Sequence, residues 1–109
     1  MKNINENRPR GTRDIFPPLS IIFQKIYEIT SEILNKNNFK QVIFPTFEYT
    51  KIFENSIGLS TDIVGKEMFT FLSKSGYSLT LRPEGTVCLA RLIKQNKLLK
   101  TNFPLKFFY

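Results

Sequence analysis

The stretch Thr80-Leu81-Arg82-Pro83-Glu84-Gly85-Thr86 marks a sharp change in the character of the chain. Residues 77–82 alternate between polar and apolar side chains, as in a half-buried β-strand, whereas residues 84–95 place apolar side chains at helical spacing. Pro83 ends strand pairing because proline has no backbone N–H and a fixed φ. Glu84 then falls in the first turn of a helix, where the helix dipole favours a carboxylate. The stretch therefore predicts a strand that turns directly into a helix.

The polar groups of this turn support two interpretations. In the first, Glu84 and Thr86 only cap the backbone of the helix that follows. In the second, a carboxylate and a hydroxyl at the end of a strand bind a small polar ligand at the edge of a sheet. An ammonium group would suit such a site, because a helix N-terminus repels cations unless an anion such as Glu84 lies beside it. Gly85 leaves room for a ligand or a second backbone to approach closely.

The rest of the chain supplies the other elements of an α+β fold. Apolar residues recur at helical spacing between Leu19 and Leu34, which predicts a helix whose apolar stripe belongs to the core. Pro45 stops a short β run, and Gly76 suits a tight hairpin between two strands. The expected elements are a helix (18–36), a strand (41–44), an irregular segment around Phe47 and Tyr49, a short helix (50–56), a polar loop (58–65), two hairpin strands (66–72 and 77–82), a helix (84–95) and a strand (104–109). We therefore expect a largely antiparallel sheet with flanking helices.

Composition limits the classes of protein and of site. The chain has 109 residues, enough for one small domain, and lacks an apolar run long enough for a transmembrane helix. It has no histidine and one cysteine, which excludes a disulfide within the chain, a structural zinc site and a His-based catalytic triad. Cys88 lies among apolar residues and is interpreted as a small buried side chain. Residues 1–9 form a polar tail that we expect to be disordered, with no secretory signal.

The net charge of +7 permits contact with a nucleic acid. The abundance of lysine, asparagine, isoleucine and phenylalanine, however, is also typical of coding in an AT-rich genome. The charge alone therefore does not identify a partner. AT-rich coding suits a plastid genome or an AT-rich bacterium, so we expect a protein of the cytoplasm or the plastid stroma.

Four blocks of the sequence resemble the histidyl-tRNA synthetase family of class II aminoacyl-tRNA synthetases. They are RGTRDIFP (10–17), FPTFEYTKIF (44–53), TDIVGKEMFTF (61–71) and TLRPEGT (80–86). The blocks follow the order of the family at close to its spacing. The resemblance implies that residues 10–109 are the N-terminal part of a class II catalytic domain.

The resemblance also implies roles for particular residues. Glu84, Gly85 and Thr86 would bind L-histidine, with Glu84 and Thr86 directed toward its α-amino group. The helix at 18–36 and the strand that ends at Pro45 would form the first class II signature, which builds a homodimer interface. That signature includes Phe44, Pro45 and Phe47. Arg82 and Arg13 are candidates for supporting roles, Arg82 by tethering the turn or a neighbouring carboxylate.

The implied activity is that of a histidine–tRNA ligase. Histidine is activated with ATP and Mg²⁺ to histidyl-adenylate, and the histidyl group is then transferred to the 3′ end of tRNA(His). The later signatures that bind ATP and the anticodon-binding domain are expected beyond residue 109. We therefore expect this chain to be a fragment that has no catalytic residue or metal of its own and is inactive alone.

Two other functions remain open from the sequence. The same fold would also serve as a non-catalytic regulatory subunit of ATP phosphoribosyltransferase in histidine biosynthesis, although the RPEGT turn argues against it. A basic module for RNA binding or dimerisation is the third hypothesis. The residues that follow position 109 would distinguish the first two, and the affinity of the chain for tRNA would test the third.

Overall fold

A computed structural model describes residues 8–57, 68–100 and 104–109. The chain divides into two compact units, residues 1–39 and residues 40–109. The predicted tail falls mostly on residues 1–7 and the predicted polar loop on residues 58–65, both outside the described residues. Residues 8 and 9 are described, and the side chain of Arg8 donates to the carbonyl of Thr12 over 2.7 Å in an exposed turn.

The first unit contains helix α1 (Leu19–Lys36). Its bounds confirm the predicted helix, and Lys36 lies in the last turn, where the helix dipole favours a cation. The helix ends at Asn37, and Asn38 takes a left-handed φ of 63°. The apolar stripe was predicted to be core, but no residue of α1 is buried. The described residues of this unit include no second helix or sheet against which the stripe could pack.

The second unit is built on two small sheets. A parallel pair joins β1 (Lys40–Gln41) to β5 (Phe107–Phe108), and an antiparallel sheet has the strand order β2-β4-β3. The antiparallel strands are β2 (Phe47–Tyr49), β3 (Thr70–Leu72) and β4 (Ser78–Leu81), and the helices are α2 (Thr50–Ile57), α3 (Thr86–Gln95) and a 3₁₀ turn (Leu98–Lys100). This arrangement confirms the α+β class with a mostly antiparallel sheet and flanking helices.

Strand β4 lies at the centre of the antiparallel sheet and leads into the turn at residues 82–85. The hairpin from β3 to β4 forms as predicted, with Gly76 at a φ of +81°. Within it the backbone N–H of Ser73 donates to the carbonyl of Tyr77 over 2.8 Å. A positive φ is favourable for glycine because it has no Cβ.

Several expectations about strands were wrong. Of the run predicted at 41–44, only Gln41 belongs to a strand, β1 (Lys40–Gln41). The strand predicted at 104–109 forms only at Phe107–Phe108. The segment around Phe47 and Tyr49, predicted to be irregular, is instead strand β2. Its burial is the reverse of what hydrophobicity predicts, since the charged Glu48 is buried while the aromatic side chains on either side of it are exposed.

The core of the second unit is small. Phe44, Phe53 and Cys88 are its buried apolar residues, and Phe53 and Cys88 have no exposed surface. Partly buried side chains from the strands and helices pack around them, namely Val42, Ile52, Met68, Val87, Leu89 and Leu92. The core therefore lies under α2 and α3, directly beside the strand-to-helix turn.

Candidate functional site: the turn at residues 82–86

The turn at residues 82–86 is held at both ends by backbone hydrogen bonds. The N–H of Arg82 donates to the carbonyl of Thr46 over 3.0 Å, which extends the pairing of β2 with β4 by one step. The N–H of Leu89 donates to the carbonyl of Gly85 over 2.9 Å and begins the hydrogen-bond ladder of α3. Pro83 lies between them and has no N–H to offer, so strand pairing stops there.

The carboxylate of Glu84 caps the N-terminus of α3. Its Oε2 accepts from the backbone N–H of Thr86 over 2.5 Å, and its Oε1 accepts from the N–H of Val87 over 2.8 Å. These N–H groups have no partner within the helix, so the carboxylate satisfies them and opposes the positive end of the helix dipole.

This capping keeps Glu84 ionised. Partial burial acts to raise its pKa, but the hydrogen bonds from the backbone of Val87 and from the hydroxyl and backbone of Thr86 outweigh it. The pKa of Glu84 therefore lies below its ordinary value of 4.5. A carboxylate has about four acceptor positions, so one that already accepts from backbone N–H groups can still accept from a ligand. The turn presents a fixed negative charge beside the exposed hydroxyl of Thr86.

The neighbour that Gly85 admits is the ring of Tyr109. A Cβ placed on Gly85 would lie 2.2 Å from Cε2 and 2.7 Å from Cζ of that ring, distances at which atoms overlap. The hydroxyl of Tyr109 lies 3.4 Å from the hydroxyl of Thr86. Gly85 was predicted to leave room for a ligand or a backbone, and in the structure an aromatic side chain takes that room.

Phe44 and Arg82 also support the turn, through contacts with aromatic rings. The ring of Tyr109 packs at 59° against the buried ring of Phe44, with 5.1 Å between the centroids. The guanidinium of Arg82 lies 5.9 Å from the centroid of the Phe44 ring, within the range of a cation–π contact. Arg82 thus contributes to tethering the turn, through Phe44. The sequence did not identify Tyr109 as a site residue. Its one signal was Gly85, which indicated a close neighbour but not which residue that neighbour is.

The remaining predicted site residues lie elsewhere. Pro45 is exposed and follows Phe44 in the irregular link to β2. Phe47 is half-exposed on β2, where its ring makes an edge contact with Phe71 at 5.8 Å. Arg13 is exposed and belongs to the first unit. Of the predicted residues, the structure therefore brings Phe44 and Arg82 to the turn at Glu84–Thr86.

Buried polar groups tie the sheet to the helices behind the turn. Glu48 of β2 is 9% exposed and forms a salt bridge with Arg91 of α3. On the same face of the sheet, the hydroxyl of Thr80 is fully buried and donates to that of Thr50 over 2.9 Å. It also lies 2.9 Å from the hydroxyl of Thr70. These contacts fix β4 and α3, the two elements that the turn connects.

Cys88 faces the same interior from the first turn of α3. Its side chain is fully buried, as predicted, and its thiol donates to the carbonyl of Glu84 over 3.6 Å. Burial raises the pKa of the Cys88 thiol, and the carboxylates of Glu48 and Glu84 raise it further. The environment therefore favours an unreactive thiol.

Two open cavities lie around the ring pair of Tyr49 and Tyr77, whose centroids are 5.7 Å apart. Their volumes are about 360 Å³ and 620 Å³, and no residue of the turn lines either of them. Within the described part of the chain, no group of three or more His, Cys, Asp or Glu side chains is placed to hold a metal ion. None of the helices among the described residues is both long and apolar enough to cross a membrane.

Comparison with known proteins finds a family match over most of the chain. Residues 11–109 match the profile of the family described as histidyl-tRNA synthetase. A histidine–tRNA ligase of Halothermothrix orenii is 46% identical over 101 residues, which is 93% of this chain and 24% of the relative. The chain thus spans about a quarter of the length of the curated relatives it matches.

Solved structures show the same relationship. The apo histidyl-tRNA synthetase of S. aureus superposes with a TM-score of 0.75 at 33% identity, covering 93% of this chain and 27% of that chain. A protein of Bacillus halodurans C, described as an ATP phosphoribosyltransferase regulatory subunit/histidyl-tRNA synthetase, superposes with a TM-score of 0.72 at 26% identity. That match covers 94% of this chain and 26% of the other.

Proposed function

Because this chain belongs to the histidyl-tRNA synthetase family, we propose that it is the N-terminal part of a histidine–tRNA ligase with a class II catalytic domain. The complete protein activates L-histidine with ATP to histidyl-adenylate and transfers the histidyl group to tRNA(His). The chain spans about a quarter of the related ligases. We therefore assign it one part of the reaction, the positioning of the amino acid.

The observation that carries this assignment is the geometry of Glu84 and Thr86. Both oxygens of the Glu84 carboxylate are fixed by backbone N–H groups, at 2.5 Å and 2.8 Å, so the charge does not need to be ordered when a ligand binds. An α-ammonium group donates three hydrogen bonds, and the turn offers it carboxylate oxygens and the hydroxyl of Thr86. Holding the ammonium in this way would direct the carboxylate of histidine toward the α-phosphate of ATP.

The energetic contribution of this contact follows from its charge. A hydrogen bond between ionised partners contributes roughly 1.5–3 kcal/mol, or about one to two powers of ten in binding. The helix N-terminus alone would repel an ammonium, so Glu84 reverses the local electrostatic preference. Gly85 serves the site by letting the turn close against Tyr109.

The other parts of the proposed reaction fall outside this chain. ATP and Mg²⁺ would bind through segments that follow residue 109, where Mg²⁺ supplies neutralisation of phosphate charge. We further propose that the complete enzyme is a homodimer in which Phe44, Pro45 and Phe47 belong to the interface signature. Its proposed location is the cytoplasm or the plastid stroma.

The test is amino-acid-dependent ATP–pyrophosphate exchange by the complete protein, measured with each of the twenty amino acids. We expect exchange with histidine alone, followed by esterification of tRNA(His). The description of the Bacillus halodurans C structure includes an ATP phosphoribosyltransferase regulatory subunit. The regulatory-subunit hypothesis predicts no exchange with any amino acid. It predicts instead that the protein activates the catalytic subunit of ATP phosphoribosyltransferase. That outcome would overturn the proposed function.

A further inference from the structure

Tyr109 touches two consecutive residues of the turn, Gly85 through its ring and Thr86 through its hydroxyl. We propose that Tyr109 is a positioning residue for recognition of the amino group of the substrate. It acts through Thr86, whose hydroxyl it orients, and through Gly85, against which its ring closes the turn. This inference rests on the proposed function, because it concerns the same amino-acid site.

The ring is packed on one side, while 60% of Tyr109 is exposed. The backbone just before it is fixed by pairing with β1, where the N–H of Val42 donates to the carbonyl of Phe108 over 2.9 Å. The ring itself packs on Phe44, which is 5% exposed. A side chain at Gly85 would therefore displace the ring, the turn, or both, since its Cβ would lie within 2.2 Å of the ring.

The hydroxyl of Tyr109 affects how Thr86 can accept hydrogen bonds from an ammonium group. A threonine hydroxyl has one hydrogen to donate and two lone pairs, whereas an ammonium needs acceptors only. When the hydrogen of Thr86 points to the hydroxyl of Tyr109, both lone pairs of Thr86 are free for the ligand. The hydrogen of Thr86 also bonds to Glu84, and without the hydroxyl of Tyr109 it remains on that carboxylate when the ligand binds. It would then occupy an acceptor position that the ammonium needs.

The two hydroxyl oxygens lie 3.4 Å apart, within hydrogen-bond reach but farther than the ~2.7–2.8 Å of a short O–H···O hydrogen bond. A small rotation of the Thr86 or Tyr109 side chain would close the gap.

The first experiment removes only the hydroxyl. In the complete protein, Tyr109→Phe keeps the ring, so we expect the melting temperature and the KM for ATP to stay unchanged. The KM for histidine in ATP–pyrophosphate exchange should rise about fivefold, as for the loss of one hydrogen bond of about 1 kcal/mol. Tyr77→Phe, an exposed tyrosine of the hairpin, is the matched control and should change neither KM.

The second experiment tests the ring contact. Gly85→Ala should raise the KM for histidine at least tenfold, because the new methyl group overlaps the ring of Tyr109. Combining Gly85→Ala with Tyr109→Ala removes that overlap, so the double variant should bind histidine better than Gly85→Ala alone. A Gly85→Ala defect that is the same in both backgrounds would contradict the role of the ring.

The outcomes separate this inference from the proposed function. A wild-type protein without histidine-dependent exchange would overturn both. A wild-type protein that is active, with an unchanged KM for histidine in Tyr109→Phe, would overturn the positioning role alone. A parallel rise of both KM values together with a lower melting temperature would show a structural role and would also contradict the inference.

Discussion

Glu48 and Arg91 form a salt bridge across the interior of the second unit, joining the strand β2 to the helix α3. The Glu48 side chain is 9% exposed and that of Arg91 28% exposed, so water screens the pair only partly. A second hydrogen bond of Arg91, 3.0 Å to the side chain of Gln95, holds the guanidinium along the helix. The pair therefore fixes the helix whose N-terminus carries the candidate site.

Breaking this pair should destabilise the protein. Glu48→Ala leaves the guanidinium of Arg91 without its counter-charge in a partly buried position, and we expect a loss of about 3 kcal/mol in the free energy of unfolding. Urea denaturation of the complete protein measures it. The control is Glu32→Ala on α1, which breaks the exposed pair with Lys36 and should cost under about 0.5 kcal/mol. Equal costs for the two variants would contradict the structural role of the buried pair.

A second prediction concerns the hydrogen bonds that link the hydroxyls of Thr50, Thr70 and Thr80. Thr80→Val keeps the shape of the side chain but removes the donor and acceptor that Thr50 and Thr70 share. We expect a loss of about 0.5–1.5 kcal/mol in the free energy of unfolding for each hydrogen bond removed, since Thr50 keeps its contact with the hydroxyl of Ser78 at 2.7 Å. Thr70→Val, at an exposed position, is the control and should cost less. A Thr80→Val variant as stable as the wild type would show that the hydroxyl chain does not stabilise the sheet.

The capping carboxylate makes stability depend on pH. The pKa of Glu84 is lower in the folded protein than its ordinary value of 4.5, so ionisation of Glu84 stabilises the fold. This stabilisation is fully present above that value and is lost as the pH falls through the lower pKa of the folded state. The difference in urea midpoint between wild type and Glu84→Gln should therefore shrink as the pH is lowered below 4.5.

A control for the substitution itself is Glu54→Gln, at an exposed position on α2. Its urea midpoint at neutral pH should lie close to that of the wild type. If the difference between wild type and Glu84→Gln stayed constant as the pH fell, the carboxylate would not be the stabilising cap.

The buried thiol of Cys88 should react slowly. Its raised pKa disfavours the thiolate at neutral pH, and its side chain has no exposed surface. A disulfide reagent added to the chain should modify Cys88 much more slowly in the native protein than in denaturant. A rapid reaction under native conditions would contradict the burial of Cys88 and the packing of α3 against the core.

Local signals made much of the fold predictable. The helical spacing from Leu19, the glycine of the hairpin and the proline at the end of β4 each act within a few residues, and the structure has α1, the hairpin and the turn where they indicated. Strand β2 was missed because its buried residue is charged. Glu48 is tolerated there only because Arg91, 43 residues later, supplies the counter-charge.

In the candidate site, too, the residues marked by a local pattern were predictable and those placed by distant contacts were not. Glu84 and Thr86 were selected because a carboxylate and a hydroxyl at a strand-to-helix turn are visible in seven consecutive residues. Tyr109 was not selected, since it reaches Thr86 from 23 residues away through the pairing of β5 with β1. The contact between Tyr109 and Phe44 likewise depends on packing, which no local pattern in the sequence encodes.

The most direct test of the central claim is the KM for histidine of Glu84→Gln in the complete protein, measured by ATP–pyrophosphate exchange. The amide keeps the size of the side chain but not its charge, and we expect kcat/KM for histidine to fall by about 10- to 100-fold. The KM for ATP should stay unchanged, as should both constants in Glu54→Gln. A histidine KM and kcat/KM within twofold of the wild type in Glu84→Gln would show that this carboxylate does not bind the amino group.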